Sequence, residues 1–319
     1  MMIFDAHADI LTDIYEETKL ENKDSFRKKH LSKYKQSGIT HSIFVNWTDP
    51  YVKTRTDFLA CFDVALKHLK DNPDLFLICR DYDDILNAVS NHKMGVILGI
   101  EGVKYLEEPN DIIKLYDRGI RHVSLTWNEA NDYGAGVSNH LGLTYKGREL
   151  ITLMDKLGMI IDLSHANEQT FKDVVQMAKG PVVVTHGNAK AICNHRRNYT
   201  DEQLKLIKEK NGVIGVCAVS NFISVNQSEQ TVEFLAKHID YMVHLIGIDH
   251  VGIGLDICYY LEAGKTSTNV LGLETIDKVG NLFTALKDMG YKENDIQKIA
   301  HGNFDRVLKQ VLKKTEMIK

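Results

Sequence analysis

The sequence predicts an α/β fold, a (β/α)8 barrel of the TIM type. Three observations point there. About eight short apolar segments alternate with helical patterns over 319 residues, the signature of such barrels. No internal repeat, Pro-rich linker or composition break interrupts them and only 4 prolines occur, so residues 1–319 read as a single barrel domain. A doubly wound open sheet, the rival, calls for a Gly-rich phosphate loop after an early strand, and none is found.

The first apolar stretch, Ile3-Phe4-Asp5-Ala6-His7-Ala8-Asp9, reads as a strand that delivers His7 and Asp9 on one face, because side chains two apart in a strand share a side. Residues 10 to about 37 mix helical periodicity with charge. Ile39 to Asn46 follows as a β-branched strand, Thr54 to about Leu69 as an amphipathic helix, and Asp81 to Val89 as another. Met94 to Gly102 is a near-continuous apolar run ending in Glu101, suited to a strand buried on both faces. A helical segment reaches about Arg118, His122 to Thr126 is a strand, and a polar loop runs from Trp127 to Tyr145. Three strand–helix steps come next: the strands Met159–Leu163, Pro181–Thr185 and Gly212–Ala218, interleaved with the helices Gly147–Leu157, Glu168–Ala178 and Asp201–Lys210. Glu229 to Ile246 is a long helix, His250 to Leu255 the last strand, and two or three helices close the chain.

Composition narrows the function. With 44% hydrophobic and 26% charged residues the chain has the balance of a globular protein. A net charge of -4 without a basic block argues against nucleic acid or an anionic membrane as partner. The five cysteines are odd in number and form no close pairs, as in reduced cytoplasmic proteins. No leader pattern precedes Ile3, no apolar run nears the ~18 residues of a membrane span, and the stretch from Lys313 to Lys319 is too polar for a lipid-anchor tail. A soluble, cytoplasmic protein is expected.

Chemistry-bearing residues gather at predicted strand ends. The first strand ends in His7 and Asp9, the third in Glu101, the fifth in His165, the sixth in His186 and the eighth in Asp256. In a barrel these ends converge on one mouth. Three histidines with two or three carboxylates suit a borderline ion such as zinc, and one glutamate can bridge two ions ~3.5–4 Å apart. Each residue alone has a plain reading as a satisfied polar group. His41 and His122, at strand starts, are expected to be ordinary core histidines. His238-Ile239-Asp240 repeats the His-x-Asp spacing inside a helical pattern and reads as surface polarity. Asp5 lies deeper than His7 and Asp9 and is expected to orient ligands without binding metal.

The ordered motifs Asp5-Ala6-His7-Ala8-Asp9, Gly99-Ile100-Glu101-Gly102, Asp162-Leu163-Ser164-His165, Thr185-His186, Arg196-Arg197-Asn198 and Gly254-Leu255-Asp256 resemble the membrane (renal) dipeptidase family of the amidohydrolase superfamily. The resemblance extends from residue 3 to about residue 310. It implies two zinc ions, other divalent ions being able to substitute: His7 and Asp9 on the first, His165 and His186 on the second, and Glu101 bridging. It implies that Arg197 receives a substrate's terminal carboxylate, for which a guanidinium fork is well shaped, and that the protein is a homodimer. Arg196 is expected to be a surface charge or to pair with an acid.

Two positions depart from the animal members. Trp127 stands where they carry a histidine that contacts the substrate, which shifts oxyanion stabilisation to the metal or to Asn128. Phe222 replaces a tyrosine and removes a hydroxyl from the pocket. The expected reaction is hydrolysis of a dipeptide with a free C-terminal carboxylate by a metal-bridging hydroxide, with Asp256 as the catalytic general base and then general acid. Another amidohydrolase-type reaction, on an N-acyl amino acid, a lactam or a D-amino-acid amide, is the alternative at the same centre. A binding protein that kept the site without turnover, or a barrel with purely structural histidines, are the remaining rivals.

Overall fold

A computed structural model describes residues 2–47, 54–261 and 268–313. The tail from Lys314 to Lys319, part of the polar C-terminal stretch noted above, lies outside the described residues.

The chain begins with β1 (Ile3–Ala8) and three helices, α1 (Ile10–Lys19), α2 (Ser25–Lys29) and α3 (Leu31–Ser37), which resolve the charged helical stretch of the sequence. Next come β2 (Ile39–Trp47), α4 (Arg55–Asp71), β3 (Phe76–Ile78), α5 (Tyr82–Ser90), β4 (Met94–Glu101), α6 (Asp111–Asp117) and β5 (Ile120–Ser124). After the polar loop the alternation is regular: α7 (Tyr145–Leu157), β6 (Ile160–Asp162), α8 (Glu168–Met177), β7 (Val183–Val184), α9 (Asp201–Glu209), β8 (Val213–Val216), α10 (Val232–Ile246) and β9 (Val251–Ile253). The last helices are α11 (Gly280–Asp288), α12 (Glu293–Gln297) and α13 (Asn303–Val311). Side-chain caps fix several starts. Thr54 with Asp57 and Thr200 with Gln203 form capping boxes on α4 and α9, each satisfying backbone donors that the first turn leaves open.

The named strands pair in parallel throughout, and the hydrogen-bonded path runs β1-β2-β4-β5-β6-β7-β8-β9. This is the expected eight-stranded α/β barrel, nearly closed. Among the described residues, β9 returns to β1 through a side chain: the backbone N–H of Leu255 donates to Asp5 Oδ1 at 2.9 Å. The short β3 was not expected. Its Phe-Leu-Ile segment pairs only with the start of β4, at Met94 to Val96, below the stretch that β5 takes, and three residues after a helix leave almost no period to read. The strands from β6 onward pair over fewer residues than their apolar runs suggest, and the remaining residues of each run enter the loops at the C-terminal end.

The barrel interior is layered. Phe4, Ile43, Ile97, Ile160, Val183 and Val213 fill its lower part, closed from below by Phe304, Val307 and Leu308 of α13. Polar residues take over above. His122 lies over Gly99, where a Cβ would come within 2.6 Å of its Nδ1, so only glycine lets β4 pass this imidazole. Helix faces outside the strands build the larger apolar cluster.

Candidate metal centre

His7 stands on β1 and Asp9 follows it; Glu101 ends β4, while His165, His186 and Asp256 follow β6, β7 and β9. The structure therefore brings all six predicted side chains to the C-terminal mouth. His7, Asp9, Glu101, His165 and His186 are each 5% exposed or less. Glu101 Oε1 lies 2.9 Å from His165 Nε2, 3.6 Å from His186 Nε2 and 3.7 Å from His7 Nε2. The ligand atoms of His7, Glu101 and His186 fall within 4.8 Å of one another, and so do those of His7, Asp9 and Asp256. His7 is common to both groups, and Asp256 sits beside the His7–Asp9 pair.

The tautomers follow from outer partners. Thr185 Oγ1 donates to Asp162 Oδ2 at 2.7 Å, so it accepts from His186 Nδ1 at 3.0 Å. Asn128 Oδ1 lies 3.0 Å from His165 Nδ1, and a carbonyl oxygen can only accept. Both histidines thus carry the proton on Nδ1 and aim an Nε2 lone pair inward. The two Nε2 atoms face each other at 3.0 Å, a contact that calls for a cation between or beside them. Arg197 answers part of this by donating Nη2 to His186 Nε2 at 2.9 Å. His7 makes the stronger case: among the described residues, both of its ring nitrogens and Asp9 Oδ1 are buried with no hydrogen-bond partner. Buried unpaired polar atoms cost about 1–3 kcal/mol each. A nitrogen–carboxylate set of this kind fits a divalent ion of the zinc type.

Electrostatics agree. Burial, with Asp256 next in importance for Asp9 and Asp9 next for Glu101, raises both carboxyls well above their ordinary range. Burial pushes Asp256 up to about 6 against the pull of Arg197, and depresses His7 to about 3. His165 and His186 are likewise held well below the usual imidazole value, by burial and then by neighbouring positive groups. The protein thus gathers neutral imidazoles and carboxyls that gain from a cation. His165 and Asp256 also adopt left-handed backbone, at φ 66° and 54°, which non-glycine residues rarely do except where function over-determines the geometry.

Asp162 underpins the histidines, a role not assigned from sequence. Its Oδ1 accepts from the backbone N–H groups of Ser164 and Thr185, both at 2.9 Å, and from Ser164 Oγ at 2.8 Å. Its Oδ2 accepts from Ser124 and Thr185 hydroxyls at 2.7 Å and meets His122 Nε2 at 3.0 Å. Burial alone would raise this carboxyl, but the bonds from His122, Thr185 and Ser124 hold it well below the carboxylate range. Ser164 Oγ in turn accepts from the His186 N–H at 3.2 Å. Asp162 ends an apolar strand just as Glu101 does, so the signal used for the ligands would have found it.

A cavity of about 280 Å³ opens over the centre, lined by Asp9, Glu101, His165, Arg197 and Asp256 together with Trp127, Asn128 and Phe222. Trp127 places its ring 6.1 Å from that of His165 and 5.7 Å from that of Trp47. Arg197, 5% exposed, lies 5.7 Å from the Phe222 ring and keeps Nη1 without a hydrogen-bond partner. Trp47, His195 and Cys258 also line the cavity and were missed. His195 stacks on Phe222 at 4.6 Å, and its position beside Arg196-Arg197 was the available clue.

Several expectations need correcting. Asn128 turns its carbonyl to His165 and so orients a predicted ligand, which leaves its Nδ2 amide as the end able to donate to an oxyanion. Asp5 accepts from the backbone of Leu255 and, at 3.4 Å, of His7, holding main chain where ligand side chains were expected. His238 is fully buried, with Nε2 2.9 Å from Ile223 O and Nδ1 accepting from the Ala189 N–H, because the helix turns this polar position inward onto backbone groups. His41 and His122 are interior residues as the sequence suggests: His41 is bound to Asp305 and Thr40, while His122 meets Asp162 through Nε2 and its Nδ1 has no hydrogen-bond partner among the described residues. Arg196, as expected, is an exposed charge, and it donates to Ser138 Oγ.

Comparison with known proteins supplies the context. The profile of the membrane dipeptidase family, peptidase family M19, matches residues 1–319. A Klebsiella pneumoniae protein from the 5′ region of pqqA is 33% identical over 246 residues, covering 73% of this chain and 88% of its own length. Dipeptidase tcpJ of Claviceps purpurea is 29% identical over 234 residues, 72% of this chain but 54% of that longer protein. Among solved structures, a metallopeptidase from Rhodobacter sphaeroides, bound to a phosphinate mimic of the dipeptide L-Ala-D-Ala, superposes with a TM-score of 0.87 at 23% identity over 98% of this chain and 99% of the other. The chain belongs to the membrane dipeptidase family, M19, and is a hydrolase of the metallo-dipeptidase kind.

Proposed function

We propose that the chain is a zinc-dependent dipeptidase that cleaves the amide bond of dipeptides bearing a free C-terminal carboxylate. The single observation that carries this is Glu101 Oε1 standing between three imidazole nitrogens at 2.9, 3.6 and 3.7 Å, beside an arginine with a free Nη1. His7 and Asp9 would hold one ion, His165 and His186 the other, and Glu101 both. Bound there, the ions would polarise the scissile carbonyl and bring the pKa of water from ~15.7 toward 7.

The protein's own groups do the rest. Arg197 pairs with the terminal carboxylate and so fixes the register of the peptide, which excludes longer chains at that end. Positioning of this sort removes at most roughly 7–11 kcal/mol of barrier. Trp127 and Trp47 wall the cavity and limit water. Asp256, a carboxyl poised near neutrality, takes the proton of the attacking water as its oxygen adds to the carbonyl carbon. It then delivers that proton to the amine nitrogen as the C–N bond breaks. Cys217 Sγ, 3.6 Å from Asp256 Oδ2, steadies the carboxyl meanwhile.

Asp256→Asn tests the assignment. Two metals should remain per chain while kcat on Ala-Ala falls about 10²–10⁴-fold, the usual worth of a positioned acid–base group; wild-type turnover would reject it, and loss of metal would make Asp256 a ligand.

The same proposal includes one barrel domain over residues 1–319, a cytoplasmic setting and a homodimer. All five cysteines are buried and free, as reduced surroundings favour, and no described helix is long and apolar enough to cross a membrane.

A further inference from the structure

A second cavity, of about 480 Å³, adjoins the metal centre and shares Arg196 and Arg197 with it. Its wall is basic. Lys172 and Lys190 join the two arginines there, and Glu168 is the acidic residue among them. Glu168 offsets little, because its Oε1 is 4.0 Å from Lys190 Nζ and its side chain is 56% exposed. A concentration of positive charge in a hollow is unexpected on a chain of net charge -4. Concave surfaces of one sign focus the field on anions.

The hollow is also built. Asn167 Nδ2 donates to the carbonyls of Asn139 and Leu141, both at 2.7 Å, and the Tyr199 hydroxyl donates to Leu163 O at 3.0 Å. Arg197 ties the hollow to the metal centre. It is 95% buried, lines both cavities, and keeps Nη1 without a hydrogen bond among the described residues.

We propose that this cavity receives the side chain of the substrate's C-terminal residue and selects an acidic one, aspartate or glutamate. The inference rests on the dipeptidase reading above. If Arg197 holds the terminal carboxylate, the residue bearing it stands at the wall between the two cavities, with the basic one open to its side chain. A second carboxylate there meets Lys190 and Lys172, a lysine is repelled, and a small apolar side chain leaves both cations in water.

The metal-loaded enzyme is assayed on Ala-Glu and its near-isostere Ala-Gln, with Ala-Ala and Ala-Lys alongside. Ala-Glu should exceed Ala-Gln about fivefold in kcat/KM, the worth of a partly exposed ion pair. That ratio should fall to about one in the Lys172→Met, Lys190→Met double variant, and Lys190→Glu should favour Ala-Lys over Ala-Glu. Equal wild-type rates on Ala-Glu and Ala-Gln, or a ratio that survives the double variant, overturn the inference and leave the dipeptidase reading standing while Ala-Ala is cleaved. Failure to cleave any of these peptides removes the reading itself.

Discussion

His41 at the bottom of the barrel and His7 at its mouth are both 1% exposed, yet they live differently. His41 Nε2 pairs with Asp305 Oδ1 at 2.8 Å and its Nδ1 meets Thr40 Oγ1 at 2.9 Å, while His301 Nδ1 takes the other Asp305 oxygen at 2.8 Å. Burial would raise the Asp305 carboxyl, but His301 and His41 hold it below its ordinary value. Both nitrogens of His7 lack any such partner. Residue type and depth therefore do not separate these two histidines; the partners of their ring nitrogens do. A closed polar network at depth stabilises the fold, whereas an open one is held in reserve for a ligand.

Exchanging the two ends breaks this contrast most sharply. His7→Ala should cost at least about 10³-fold in kcat/KM, since bound metal supplies several kcal/mol of transition-state stabilisation, with little change in thermal midpoint of the metal-free protein, where its ring nitrogens have no hydrogen bond to lose. His41→Ala should do the reverse, losing roughly 2–5 kcal/mol of stability by emptying a buried ring site and removing one of the two imidazoles that hold Asp305, while metal content stays at wild type. Calorimetry and metal analysis decide it; equal stability losses in the two variants would erase the distinction.

Asp162 blurs the boundary, being fully satisfied yet in service of the site. Asp162→Asn should weaken metal affinity about 10–100-fold, as loss of a group that orients ligands commonly does, read by competition with a chromophoric chelator. An affinity within twofold of wild type would confine Asp162 to the fold.

The smallest effect is a pH dependence. Burial raises Asp5 from 3.8 to about 7 and sends Asp9 and Glu101 well above their ordinary values. Carboxyls raised on folding favour the folded state fully below their unfolded pKa, and that contribution is lost as pH climbs through the raised one. The depressed histidines act oppositely, but their contribution is complete above the unfolded value of 6.5. Between about pH 6.5 and 8 the carboxyls alone remain, so the metal-free protein should lose stability there, while metal binding tightens and releases protons. Titration calorimetry in buffers of different ionisation enthalpy measures the release; its absence would contradict the upward shift of the Asp9 and Glu101 carboxyls.

Most of this arrangement was legible before any coordinates. Parallel strands buried on both faces write themselves as apolar runs, and the residue ending each run falls at one mouth, which is how Glu101, His165, His186 and Asp256 could be gathered. Residues whose meaning depends on a partner distant in sequence were not legible. Asn128 could have faced the substrate with either end of its amide until its carbonyl was found on His165, and His238 could have faced water until Ile223 O and the Ala189 N–H came to meet it. Periodicity reports which side of an element a residue occupies, not what waits there.

The Asp5–Leu255 bond joins positions 250 apart, and that separation sets a clock. At ~5–20 residues per second on the ribosome, the earlier partner waits roughly 12–50 s for the later one. Throughout that interval His7 and Asp9 belong to a nascent chain whose first strand has no ninth strand to meet. A product truncated before Leu255 should therefore emerge unable to close, and unable to capture its ions in the cell.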